Sequence, residues 1–418
     1  MKKKFILLAM SAVLVFSVCA LPAGTTLTLG TAEAATVLPT DTTTASEGNA
    51  LVGVSGSFVA PTKKVLNKIN EIRKEACTKG IKDPRDTSRK LTSNDYVPIK
   101  WSSDLEYIAR IRAAEGSILL SHTRPNGSSC FSVTSPNGIG SYGEVLAWNY
   151  SEDFLMGIQQ WYSEKSAWVK GTSGAVTGHY TSMINPNNTY VGLATFLNYN
   201  ATYPTTTSGE FSSLSGLNEK MGSAAKNCVQ TVEVQSSTLK KAYLSGASSA
   251  VAGKKAKVSM RATYNNDGMK IGVSILGGTT WTSSNGNVAS VSSNGYVTGI
   301  SYGTTTITAV NGSLKASTKF SIVSVKVADK DALSKISKTF NRKIKAKKGS
   351  SIKLPSVKSA SGSKVVYKLS KSSKYFKVSK DGFVKVKKAL KRGKKYTIKV
   401  KATCGKQSKK IKVKLKAK

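Results

Sequence analysis

His122 and His179 are the only imidazoles in this 418-residue chain, and each sits in a string that looks built around it. The first string is Ser121-His122-Thr123-Arg124-Pro125-Asn126-Gly127, and the second is Gly178-His179-Tyr180-Thr181. Between them fall Gly143-Glu144 and Trp161-Tyr162-Ser163-Glu164. Two imidazoles and two carboxylates brought together make either a metal site or a buried acid/base network. Neutral imidazole suits zinc or a similar divalent ion, so His122 and His179 are the candidate metal ligands. Carboxylates then complete the coordination or orient the rings from behind. One glutamate beside a bound water would also serve as general base, which makes Glu144 and Glu164 the catalytic candidates. No His-Glu-x-x-His string supports a zinc protease. A Ser-His-Glu nucleophile would have to use Ser121 or Ser182, and no Gly-x-Ser-x-Gly turn presents either. The competing reading is a polar network that only stiffens the fold.

The elements that must position these residues have recognisable patterns. Val65, Leu66, Ile69, Ile72 and Ala76 recur at the helical period and predict a helix after Pro61. Ser103 and Glu106 have capping-box spacing, and the helix they open runs to about Leu119, leaving His122 just past its end. A third helix is expected from about Ser151 to Trp168, with Glu164 beside Trp161. Two strand-like runs, His179–Ile184 and Tyr190–Leu197, follow on either side of an Asn-Pro-Asn-Asn turn. Trp148, Trp161, Trp168 and Tyr180 read chiefly as core.

Bulk properties set the surroundings. Residues 1–34 have the charged start, apolar run and Ala-x-Ala end of an export signal, so the mature protein is expected outside the cell, without a transmembrane anchor. Residues 35–60, rich in Thr, Ser, Gly and Ala, read as a flexible leader. The formal charge is +41, and residues 330–418 hold 32 Lys and Arg against Asp331 and Asp381. A stretch so one-sided is built to meet a polyanion. Past the signal, Cys77, Cys130, Cys228 and Cys404 leave several disulfide pairings open.

From about Ser237 short strands and turns take over, with Asn294-Gly295 as a hairpin signal. The final run, Ile411 to Lys418, alternates apolar residues and lysines, giving one core face and one cationic face.

Together these strings resemble the CAP superfamily (cysteine-rich secretory proteins, antigen 5, pathogenesis-related protein 1) over residues 61–234. The carriers are Asn70-Glu71-Ile72-Arg73, Trp101 to Arg112, Ser121 to Gly127, Gly143-Glu144, Trp161 to Glu164 and Gly178 to Thr181. The resemblance implies an α-β-α sandwich whose cleft gathers His122, Glu144, Glu164 and His179. Arg124, from its turn, and Tyr180 are expected as further lining. Val145, Ser182 and Asn185 depart from the usual pattern, and most cysteines of eukaryotic members are missing. Residues 237–325 resemble a group 2 bacterial immunoglobulin-like domain through Trp281 to Ser284, Val288 to Val291, Asn294 to Gly299 and Gly303 to Ala309. Residues 326–418 are expected to form a second β-sandwich.

The expected protein is therefore multidomain: a CAP-like α-β-α sandwich followed by two immunoglobulin-like β-sandwich modules. It is secreted, extracellular and cell-wall associated, with a His/Glu cleft for a divalent metal, zinc preferred. Its basic end is expected to hold anionic envelope polymers, teichoic acid or peptidoglycan. The alternative is a metal-assisted hydrolase of envelope or host polymers. By family analogy alone, the cleft region would take a small lipid or sterol. Nucleic acid is disfavoured, because Lys far outnumbers Arg and base-reading motifs are absent.

Overall fold

The computed structural model describes residues 35–266 and 268–418; the export signal expected over 1–34 lies outside the described residues. In chain order the first part holds β1 (Val37–Leu38), β2 (Asn49–Val59), α1 (Lys63–Thr78), β3 (Lys100–Trp101), α2 (Ser103–Gly116), β4 (Gly143–Asn149), α3 (Leu155–Ser163), α4 (Lys165–Lys170), α5 (Gly178–Ile184), β5 (Tyr190–Leu197), β6 (Thr205–Ser212) and β7 (Ala225–Gln235). The middle part runs through β8 (Leu239–Gly246), β9 (Ser249–Val251), β10 (Lys255–Asn266), β11 (Met269–Ile275), β12 (Thr280–Ser283), β13 (Ala289–Val291), β14 (Tyr296–Gly299), β15 (Gly303–Asn311) and β16 (Leu314–Val323). After α6 (Val325–Ser334) come β17 (Thr339–Ile344), β18 (Ser351–Lys353), β19 (Val366–Leu369), β20 (Phe376–Val378), β21 (Phe383–Val386), β22 (Lys395–Cys404) and β23 (Gln407–Ala417).

The leader expected over 35–60 is instead structural. β2 buries Ala50, Leu51, Val52, Val54 and Phe58 and pairs with β7 along almost its whole length. Its small residues favour tight packing, which composition alone does not distinguish from flexibility. β2 is also a seam. Its C-terminal end pairs with β5 through Ser57–Val59, while Val52 and Gly53 pair with Ile275 and Ser274 of β11. One sheet therefore runs from β4 of the head into the middle part, and no sheet break marks the boundary expected between 234 and 237.

β5 explains how helices assemble around that sheet. All eight of its residues are buried, and alternate side chains feed different clusters. Val191 and Leu193 join Ile69, Ile158, Trp161 and Met183 from α1, α3 and α5. Ala194 and Phe196 join Ala109 and Ala113 of α2. This is the period-2 alternation of a strand with two covered faces. Gly192 lets α2 sit close on β5, because a Cβ there would strike the backbone of Leu105 and Glu106.

Local expectations shift in three places. The cap of α2 is Ser102, whose hydroxyl accepts from Leu105 N at 3.3 Å; Glu106 instead accepts from Trp101 Nε1 at 3.0 Å and Gly222 N at 2.8 Å. The third helix is divided at Glu164 into α3 and α4. The run 179–184, expected as a strand, is helix α5, held by partners distant in sequence.

The terminal residues form two sheets, β17-β23-β22-β19 and β18-β21-β20, around one core that includes Phe340, Tyr367, Phe376, Val400 and Val413. The alternation expected at the chain end is present in β23, where Ile411, Val413, Leu415 and Ala417 are buried and the lysines between them exposed. Helix α6 was not anticipated. Cys77, Cys130, Cys228 and Cys404 are all buried free thiols. No helix among the described residues is long and apolar enough to cross a membrane.

Candidate functional site

Four elements converge on the site. His122 follows α2 in a loop, Glu144 begins β4, Glu164 lies at the α3/α4 junction, and His179 stands in the first turn of α5. The imidazole centroids of His122 and His179 are 6.2 Å apart, with the ring planes inclined by 26°. The four residues named from the sequence thus meet in space as two His–Glu pairs.

In each pair the carboxylate holds Nδ1 of its ring. His122 Nδ1 lies 2.6 Å from Glu144 Oε1, and His179 Nδ1 lies 2.5 Å from Glu164 Oε1. A carboxylate accepts, so Nδ1 carries the proton and Nε2 is left with its lone pair in each neutral ring. That is the tautomer a metal-ligating histidine needs, with the carboxylate fixing the ring from behind. Neutral imidazole nitrogens are of the donor type that a divalent ion takes.

Glu164 has a second task. Its Oε2 accepts from the amides of His179 at 3.0 Å and Tyr180 at 3.1 Å, capping α5 with negative charge where the helix dipole is positive. At the other end Arg73 donates to Met183 O at 2.8 Å and Asn185 O at 3.0 Å. Asn70, from the same string, exchanges hydrogen bonds with the Ile99 backbone at 2.8 and 3.0 Å. The Asn-Glu-Ile-Arg string therefore works as a clamp on neighbouring backbone.

Glu144 is held by Arg112 as well as His122. Arg112 Nε and Nη2 donate to it at 2.5 and 3.1 Å, while Nη1 reaches Glu115 at 2.6 Å. Glu115 also receives Arg124, whose remaining donors reach Asp41 at 2.8 Å. A chain of alternating charges thus runs from Asp41 through Arg124, Glu115, Arg112 and Glu144 to His122. Burial works to raise the Glu144 pKa, but the hydrogen bonds from His122 and Arg112 outweigh it, and the carboxyl is held below its ordinary value.

Two residues expected to line the cleft do not. Arg124 is buried and its guanidinium is occupied by Glu115, Asp41 and Ser132. Tyr180 is fully buried with no hydrogen-bond partner for its hydroxyl. The helical turn of α5 points His179 outward and therefore sends the next side chain into the core. Ser121 Oγ accepts from Thr123 N at 3.0 Å in a local turn and makes no pair with an imidazole. Both glutamates serve as ring holders, and their oxygens are already engaged.

Several participants were not named from the sequence. Cys130 joins His122 and Glu144, one ligand atom of each lying within 4.8 Å of the others, so these three form a possible metal-binding triad. Arg112 weighs against an ion there, because its guanidinium already neutralises Glu144. Burial and the Glu144 charge push the Cys130 thiol up to about 12, away from the nucleophilic thiolate form. Glu210 stands directly opposite Glu144 across the β4–β6 pair and is fully buried. Among the described residues only the hydroxyls of Ser141 and Ser208 donate to it, at 2.7 and 2.9 Å. Burial and the neighbouring Glu144 charge raise its pKa well above the ordinary value, which favours its protonated form. Arg112 and Glu115 did carry a signal, two charges three residues apart within an apolar helix. Glu210 carried none, since only strand register places it.

Comparison with known proteins agrees with the motif reading. Residues 66–211 match the Cysteine-rich secretory protein family, CAP, and residues 229–320 match the bacterial Ig-like domain of group 2. The second match begins inside β7, the strand paired with β2. No curated protein matches the chain. Among solved structures it is similar to chicken VE-cadherin EC1-2, at 16% identity over 34% of this chain and 84% of that one, with a TM-score of 0.19. Drosophila N-cadherin EC1-3 is similar at 14% identity over 57% and 79%, TM-score 0.27. Domains 4 and 5 of the S-layer protein SbsC are similar at 14% identity over 43% and 99%, TM-score 0.17. Scores this low carry no argument about fold or function.

Proposed function

We propose that this protein, a CAP domain followed by a bacterial Ig-like domain and a lysine-rich end, is a secreted binding protein of the bacterial cell wall. An extracellular setting fits the two matched domains. In this reading the head, 61–234, is an α-β-α sandwich, and 237–325 and 326–418 are successive β-sandwich modules. His122 and His179 hold a divalent ion, zinc by preference, and present it to a ligand. Residues 326–418 hold the protein to anionic envelope polymers.

The observation that carries the metal reading is the pair of His–Glu hydrogen bonds, which leaves both Nε2 atoms as free donors. The ion, when bound, would supply a Lewis-acid centre for an oxygen or nitrogen ligand. This chain's own residues do the positioning. Arg112 fixes Glu144, Glu144 fixes the His122 ring, and Glu164 fixes both the His179 ring and the helix that carries it. Binding is favoured over hydrolysis because both carboxylates are committed to holding their rings, and Glu164 also to the α5 amides.

Calorimetric titration of the full chain with Zn²⁺ tests this, the full chain being needed because β2 belongs to both head and middle part. One site per chain is expected, lost in His122→Ala and in His179→Ala. Glu144→Gln should weaken it by about 10–100-fold, the usual effect of removing a ring-orienting carboxylate. Cys130→Ser should leave it intact. Undiminished binding in both histidine variants sinks the proposal.

A further inference from the structure

The outer face of the β17-β23-β22-β19 sheet is a lysine lattice. Strand register sets Lys395 opposite Lys416, Lys399 opposite Lys412, and Lys401 opposite Lys410. On the flanks Lys401 faces Lys368, and Lys416 faces Lys343. Every one of these side chains is exposed. Directly opposed residues in an antiparallel pair have Cβ atoms about 5 Å apart, and like charges there are destabilising. Along β23, Lys410, Lys412, Lys414 and Lys416 form a row spanning roughly 20 Å.

The lattice has no internal relief. Among the described residues no lysine of 326–418 forms an ion pair with a carboxylate; Asp329, the buried acid of this part, is hydrogen-bonded to Ser361 at 2.5 Å. Nor can the register slip, because one step would put the lysines into the core in place of Ile411, Val413 and Leu415. The sheet therefore holds repelling charges in fixed positions, and a multivalent anion laid along it removes that repulsion.

We infer that this face binds a linear phosphodiester-linked polymer. This deepens the wall-binding reading proposed above and rests on it. The residue choice is compatible with phosphate. Over 330–418 there are 30 Lys and only two Arg. Arg supplies a planar fork that pairs bidentately with carboxylate and phosphate alike, whereas Lys binds phosphate as a compact point charge, so this face reads a row of charges and not a fixed ligand shape. The aromatic side chains are not available as a base-stacking platform: Tyr367 and Phe376 are buried, and Tyr396 packs its ring against Tyr375 and Phe376 at 5.4 and 5.7 Å. A nucleic-acid strand would want them exposed. A hollow of about 650 Å³ at one end of the lattice, whose lining includes Asn341, Arg342, Lys343, Lys395, Lys414 and Lys416, gives the polymer a seat.

The test is binding of the full chain to long-chain inorganic polyphosphate, to polygalacturonate of equal charge and to orthophosphate, across a salt series. Polyphosphate should bind at least tenfold more tightly than polygalacturonate, lose affinity steeply with salt, and outcompete orthophosphate. The variant Lys399→Gln/Lys401→Gln/Lys412→Gln/Lys414→Gln should bind polyphosphate at least tenfold more weakly. Without ligand it should unfold at a higher temperature than wild type, which also shows that it folds. Equal binding of the two polymers, or wild-type affinity in the variant, overturns the assignment. Retention on cell walls, intact or stripped of phosphate polymers, separates the two levels. Retention on stripped walls refutes the phosphate ligand while leaving wall association standing. Polyphosphate binding without retention on intact walls refutes wall association alone.

Discussion

Arg112 decides more at the site than either histidine. It is fully buried between Glu115 and Glu144, and through Glu144 it sets the His122 ring. Removing one member of a buried ion network leaves its partners charged and unpaired, at a cost of about 3–5 kcal/mol. Arg112→Ala should therefore lower chemical-denaturation stability by about that amount and, acting through Glu144, weaken zinc binding by no more than the about 10–100-fold expected of Glu144→Gln, with both histidines still in place. Glu210 makes the opposite kind of contribution. Its folded-state pKa is raised, so the stability linked to its proton is fully present below about pH 4.3, the ordinary Glu value, and fades as pH climbs through the raised value. Glu144, held low, contributes stability above the ordinary Glu range and loses it as pH falls. Glu210→Gln imitates the protonated form. It should match wild type in thermal melts near pH 4 and exceed it near pH 8; an identical pH profile would show that Glu210 is not protonated in the folded protein. His122, Glu144, Glu164 and His179 were legible because their strings are unusual. Glu210 and Cys130 were not, since a register or a loop path places them.

At the scale of the element, α5 shows what short helices require. Seven residues are too few to be stable alone, yet Gly178–Ile184 is helical because Glu164 caps its start and Arg73 its end. Both caps come from distant positions, and so a strand was the natural expectation from the local pattern. Glu164→Ala should cost about 1 kcal/mol, the usual value of a lost helix cap. It should speed amide hydrogen exchange over 178–184 well before the rest of the head responds. Unchanged exchange in that window would mean the cap does not hold the helix. The longer helices needed no such help. Val65, Ile69, Ile72 and Ala76 predicted α1, and they face the core as expected.

For the whole molecule the seam at β2 is the main consequence. Because this one strand pairs with β5, β7 and β11, the head and the middle part share hydrogen bonds and a continuous hydrophobic cluster that reaches from Ala109 and Phe196 to Tyr264 and Val273. The lysine-rich end has a separate core. Scanning calorimetry should accordingly show two transitions. Residues 35–323 should melt as one cooperative unit, and the end module separately, shifting upward with salt as its lysines are screened. Three independent transitions would contradict the shared sheet.

The sequence alone determined what is periodic or chemically rare: the amphipathic helices, the alternation of β23, the concentration of charge at one end and the two histidines with their glutamates. Those signals are local, or lie in residue type itself. The tertiary structure alone decided that β2 is core, that 178–184 is a helix, that Arg124 and Tyr180 turn away from the site, and that Glu210 lies against Glu144. Each of these depends on strand register or on a partner far along the chain. Pairing energies of that kind exist only once the chain has folded back on itself.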